Sequence, residues 1–135
     1  MRVLSEMALL LLLTAEVPSL VAVPPFKLAS GDLMPAIGYG TWLSEPGEVY
    51  RGTKAALEAG YRCVDEAWVY MNEEEVGKAV ADSLAEGTVG ARGDLWVTSK
   101  LWNNFHRPDL VRSGCVESLS KVRAYGLVLL SCMSR

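Results

Sequence analysis

Short β-rich runs recur through this chain at the interval of a strand–helix–strand unit. That recurrence limits its fold more than any other feature. Candidate strands at Ile37–Gly40, Arg62–Asp65, Leu95–Ser99 and Leu127–Leu130 end near positions 40, 65, 99 and 130, in steps of 25, 34 and 31 residues. A parallel pair with its crossover helix takes about 30 residues, and a series of such units builds a parallel sheet. The segments between the strands carry helical periodicity. Val49, Thr53, Ala56 and Leu57 share one face of a helix that stops before Gly60. Val76, Val80 and Leu84 form the stripe of a second helix. Asn72, with Glu75 three residues on, has the spacing of a capping box there. Glu73, Glu74 and Glu75 put negative charge where the helix dipole favours it. Pro108 suits the first turn of a third helix, with Val111, Cys115 and Leu119 expected on its inner face. Ahead of these units, Phe26–Leu28 and Leu33–Met34 flank Gly31-Asp32 and read as a β-hairpin.

Composition narrows the class. Half of the 135 residues are hydrophobic and 21% are charged, the balance of a globular chain with a core. A net charge of -3 argues against nucleic acid as a partner, since displacing counterions needs a basic stripe. It argues equally against electrostatic attachment to a membrane. Cys63, Cys115 and Cys132 are odd in number, none lies in a CxxC, and His106 is the single histidine. Neither a disulfide framework nor a metal site is expected.

Residues 1–25 stand apart from this pattern. Met7–Ala15 (MALLLLLTA) is an apolar run of nine residues, against the roughly 20 that cross a bilayer. It has the size of a signal-peptide core, yet Glu6 precedes it and no clean A-x-A site follows. The segment reads as a leader or a non-native extension and is set apart from the fold. Residues 26–135 form the domain.

Two parallel architectures compete. A dinucleotide-binding doubly wound sheet calls for GxGxxG after its first strand, but GYGTWL has Leu43 where the third glycine belongs. A (β/α)8 barrel gathers its chemistry at the C-terminal ends of its strands. Thr41 and Trp42 follow the first strand here, Asp65 and Tyr70 the second, Lys100 and Trp102 the third. Asp65, Tyr70 and Lys100 together supply a workable proton donor. A free phenol holds its proton to about pH 10. A neighbouring ammonium favours the phenolate, and a carboxylate fixes the ammonium. Such a group donates a proton to a carbonyl oxygen while a hydride reaches the carbon. Trp42, Val69 and Trp102 supply apolar walls.

The segments MPAIGYGTW (34–42), GYRCVDEAWVYMNEEEVG (60–77) and DLWVTSKLWN (94–103) strongly resemble the N-terminal part of the aldo-keto reductase family. The resemblance runs over about Phe26–Val122. It implies the first four strand–helix units of a (β/α)8 TIM barrel preceded by the hairpin, an incomplete barrel. It also implies reduction of aldehydes and ketones with NADPH in the cytoplasm, secretion being the alternative if the apolar leader acts as a signal. On this resemblance Tyr70 is the general acid, Lys100 lowers its pKa, and Asp65 pairs with Lys100. Gly40, Thr41, Trp42 and Asp65 line the nicotinamide end of the cofactor. Trp42, Val69, Tyr70 and Trp102 face the substrate.

Four departures from the family pattern stand out. A catalytic histidine is expected in a YLDLYLIHWP-like fourth strand, but GLVLLSCMSR puts Met133 in its place. Met133 has no N–H to offer a carbonyl, and His106 lies in the wrong loop to replace it. A whole barrel takes about 250 residues, so the chain corresponds to roughly half of one. Cys63 stands where the family has histidine in GYRHID, and Glu66 and Met71 occupy variable positions. The same resemblance therefore carries an alternative: a shortened, non-catalytic member with a binding role, self-associating through open barrel edges.

Overall fold

The computed structural model describes residues 23–122 and, as backbone, strand 129–132. Positions 1–22 of the expected leader, and Met133, lie outside the described residues. Strands β1 (Phe26–Lys27) and β2 (Leu33–Met34) pair antiparallel, Phe26 opposite Met34, and form the expected hairpin. Its turn needs Gly31, whose φ of 95° is costly for any residue with a Cβ.

Four strands follow in one parallel sheet: β3 (Tyr39–Gly40), β4 (Cys63–Asp65), β5 (Trp96–Leu101) and β6 (Leu129–Cys132), in that spatial order. Gly40 lies opposite Asp65, Asp65 opposite Thr98, and Lys100 opposite Ser131. The register brings the C-terminal ends of β3, β4 and β5 side by side. The sheet is open. Among the described residues β3 and β6 each pair on one side only. Helix α1 (Glu48–Glu58) follows β3, α2 (Glu73–Ala85) follows β4, and α3 (Pro108–Val122) follows β5. No helix among the described residues is long and apolar enough to cross a membrane.

Alternation along β5 sorts its side chains between two faces. Val97, Ser99 and Leu101 turn toward the helices and are buried, while Thr98 and Lys100 turn to the other face, where both meet Asp65. The helix side holds the core. Val49 and Leu57 of α1, Val64 of β4, Val76 and Val80 of α2, and Val89 and Leu95 pack together. Fully burying a side chain of this size stabilises the fold by roughly 1.5–3 kcal/mol.

Three sequence expectations are corrected. Strand β5 runs two residues past LWVTS because Lys100 and Leu101 find ladder partners in β6; positions 127 and 128 of the expected fourth strand lie outside the described residues. The capping box at Asn72 does not form. Its amide donates instead to the Thr41 carbonyl at 2.9 Å, and Glu75 accepts the Gly47 N–H at 2.8 Å. Both side chains are spent between elements rather than within the helix. The third correction concerns α3, which buries Gly114, Ser118 and Val122 while Val111 is exposed. The helical spacing is right, but the face is turned by one position. A Cβ at Gly114 would stand 2.7 Å from the Phe105 ring and 2.8 Å from Leu101. Close approach, not hydrophobicity, selects that face.

Candidate active site

Three backbone ends meet at the C-terminal edge of the sheet, and polar bonds lock them together. The Thr41 N–H donates to the Asp65 carbonyl at 3.1 Å, and the Thr41 hydroxyl donates to the same oxygen at 3.2 Å. The Asn72 amide holds the Thr41 carbonyl from the other side. The Glu66 N–H donates to the Thr98 carbonyl at 3.0 Å. Each such bond contributes about 1 kcal/mol net, and together they fix where Asp65 leaves β4.

Lys100 lies at the centre. Its Nζ donates to Asp65 Oδ2 at 2.7 Å, to the Glu66 carbonyl at 2.9 Å, and to the Tyr70 hydroxyl oxygen at 3.2 Å. An ammonium has three N–H donors, and this geometry uses all three. Burial alone would lower the Lys100 pKa. The bonds to Asp65 and Tyr70 outweigh it, and the ammonium is held above its ordinary value. Thr98 donates to the other Asp65 oxygen at 2.5 Å, so both carboxylate oxygens are engaged.

Tyr70 sits at the end of a 3-10 turn, Trp68–Tyr70, after which Met71 takes a left-handed conformation with φ 56°. That turn carries the phenol back over Lys100. Because its oxygen accepts the Lys100 N–H, its own hydrogen remains to donate outward. The Trp42 ring packs on Tyr70 with centroids 4.6 Å apart and is 55% exposed. Val69 lies within the same turn and Trp102 directly follows β5, both half-buried.

The structure thus brings Asp65, Tyr70, Lys100 and Trp42 into one cluster. Gly40 ends β3 beside them, and a Cβ there would meet nothing within 4 Å. A cavity of about 390 Å³ opens against Gly40, Asp65, Thr98 and Cys63. Thr41 is different. Its side chain is fully buried, so it shapes the site from behind. A larger groove, about 460 Å³, lies at the other end of the strands against Ile37, Ala59, Tyr61 and Arg62, away from Lys100. Cys63 is a free buried thiol, its pKa raised by burial and by the Asp65 charge. Among the described residues the His106 ring reaches only the Leu101 carbonyl, at 3.4 Å.

Two participants escape the sequence. Thr98 was accessible in principle, since it stands two residues before Lys100 and so on the same strand face. The Glu66 carbonyl was not, because backbone acceptors leave no mark on a sequence.

Comparison with known proteins gives the family of this chain. The sequence profile of the aldo/keto reductase family matches residues 36–126. Aldo-keto reductase family 1 member A1-A of Danio rerio is 49% identical over 96 residues, covering 71% of this chain and 30% of that protein. The structure of the aldose reductase from Schistosoma japonicum superposes with a TM-score of 0.77 at 46% identity, covering 80% of this chain and 36% of that one. The Bombyx mori aldo-keto reductase, solved in complex with NADP, gives 0.75 at 36% identity, covering 82% and 38%. The chain spans about a third of the length of these relatives.

Proposed function

Because this chain belongs to the aldo/keto reductase family, we propose that it serves the reduction of an aldehyde or ketone to an alcohol, with Tyr70 as proton donor. One observation carries the reading: a single ammonium, Lys100, binds the Asp65 carboxylate, the Glu66 carbonyl and the Tyr70 oxygen at once. We read the open sheet as the first four units of an eight-stranded barrel, which puts this cluster on the catalytic rim. A cytoplasmic location follows from the family resemblance alone.

The residues present suit the reacting end of a nicotinamide cofactor. Gly40 leaves an open floor beside Asp65, and Trp42 offers an exposed aromatic face. NADPH would lie there, held by Gly40, Trp42 and Asp65 with Thr41 supporting them, and when bound it supplies the hydride for the carbonyl carbon. The rest of the chemistry belongs to the chain. Tyr70 donates its hydroxyl proton to the carbonyl oxygen. The phenolate left behind lies 3.2 Å from the Lys100 ammonium, which stabilises it by direct charge attraction. Asp65 holds the ammonium and balances its charge. Trp42, Val69 and Trp102 present apolar surface to the substrate.

The test is Tyr70→Phe in an assay of NADPH consumption with an aldehyde. Removing a positioned acid costs about 10²–10⁴-fold in rate. Equal turnover in the wild-type and variant chains would sink the reading and leave a binding role.

A further inference from the structure

Glu66 follows Asp65 directly, yet its side chain turns to the opposite, helix-covered side. It is fully buried, and among the described residues neither carboxyl oxygen has a hydrogen-bond partner. A buried ionised carboxylate without hydrogen bonds costs several kcal/mol, so the group resides there as the neutral acid. Burial pushes its pKa well above the ordinary carboxylate range. The charged groups facing it come from several elements. Glu73 of α2 and the adjacent Asp65 raise the pKa further, while Lys100 of β5 and Arg92, in the turn before β5, oppose them. Glu73 is itself buried, accepting the Ser99 hydroxyl at 2.8 Å with Lys121 at 3.9 Å.

The backbone of the same residue belongs to the catalytic cluster. Its N–H donates to the Thr98 carbonyl, and its carbonyl accepts the Lys100 ammonium at 2.9 Å. A movement of this side chain is therefore a movement of one of the three acceptors of Lys100.

We propose that Glu66 is a positioning residue for Lys100: as the neutral acid it anchors the end of β4 in the core, and on losing its proton it turns toward water and withdraws its carbonyl from the ammonium. The proposal rests on the reading of Lys100 as the partner of Tyr70. Its sign is definite. Above the ordinary carboxylate range the unfolded chain binds fewer protons at this position than the folded one, so alkalinity loosens the anchor.

Glu66→Gln keeps the shape and cannot ionise. The experiment compares it with the wild-type full chain from about pH 6 to about pH 10, a range that lies above the ordinary carboxylate pKa. Acetic anhydride labelling of Lys100, read by mass spectrometry against the exposed Lys27, reports the anchorage without any need for turnover. The expected result is a several-fold rise of the Lys100-to-Lys27 ratio with pH in the wild type and a level ratio in the variant. Identical courses in the two chains overturn the proposal. Should Glu66→Gln fail to fold, Glu66→Met, apolar and of similar length, makes the same comparison. NADPH-dependent aldehyde reduction is then profiled on both chains. The alkaline fall is expected at higher pH in the variant, a displacement that a merely structural role would not produce. Coincident profiles overturn the proposal. A labelling difference with no turnover in either chain overturns the reductase reading and leaves the anchorage standing.

Discussion

The indole N–H of Trp68 donates to Glu117 Oε1 across 2.8 Å and joins segments 49 residues apart in sequence. Lys121 braces the pair, donating to the same carboxylate oxygen at 2.6 Å while its ammonium lies 5.1 Å from the Trp68 ring. Phe105 meets that ring edge-on at 5.4 Å. The turn that carries Tyr70 is thereby fastened to α3. Trp68→Phe keeps the ring contacts and deletes the donor. A loss of about 1 kcal/mol is expected, read from the urea midpoint. An unchanged midpoint would show that the bond contributes nothing.

Gly77 of α2 faces the end of α3 at a distance no side chain tolerates. A Cβ there would stand 2.5 Å from the Val122 carbonyl oxygen and 2.6 Å from that of Lys121. In an exposed helix Gly→Ala would gain up to about 1 kcal/mol. Here the obstacles are backbone atoms, and overpacking of this kind costs about 1–3 kcal/mol. Gly77→Ala is predicted to destabilise the chain, with a lower thermal midpoint as the readout. A raised midpoint would show that the helices separate at little cost.

Lys100→Met is expected to leave Asp65 with Thr98 as its remaining side-chain donor and to remove the charge beside Tyr70. Aldehyde reduction should fall by about 10²-fold or more, with circular dichroism checking that the fold survives. A fully active Lys100→Met would exclude the ammonium from proton transfer.

Acid should weaken the fold through Glu117 and Asp82. The Lys121 bond, then the Trp68 bond, hold Glu117 below its ordinary pKa. For Asp82 the Lys78 bond, then the Tyr50 bond, do the same. A depressed folded pKa contributes stability that is present above the unfolded pKa and lost as pH falls through the folded one. The urea midpoint should therefore drop below about pH 4.5, and less steeply in Glu117→Gln. Parallel slopes would refute the assignment.

The outer strands β3 and β6 each pair on one side among the described residues. Open edges of this kind seek partners. Sedimentation of the full chain should show a mass above the monomer that rises with concentration. A monomer at every concentration would mean that the edges are already covered.

Much of this was legible beforehand. The inner face of α1, Val49, Thr53, Ala56 and Leu57, is buried as its periodicity requires. Asp65, Tyr70 and Lys100 were identifiable because acid, phenol and ammonium fell at successive strand ends. Hidden features were those decided by distance rather than residue type. Asn72 and Glu75 have the pattern of a local cap, yet better partners lie across the fold at Thr41 and Gly47. The face of α3 was missed because hydrophobicity favours Val111, whereas packing against Phe105 demands the missing side chain of Gly114. A buried Glu66 runs against what charged residues usually do, and only the fold reveals it.

The knot that joins Thr41, Asp65 and Asn72 is tied largely to main-chain oxygens. Main-chain oxygens are common to every amino acid. The exposed residues around it, Trp42, Leu43 and Met71, can therefore be exchanged without untying it. On the proposed function, side chains at this rim could change substrate preference while the main-chain bonds that seat Asp65 stay the same.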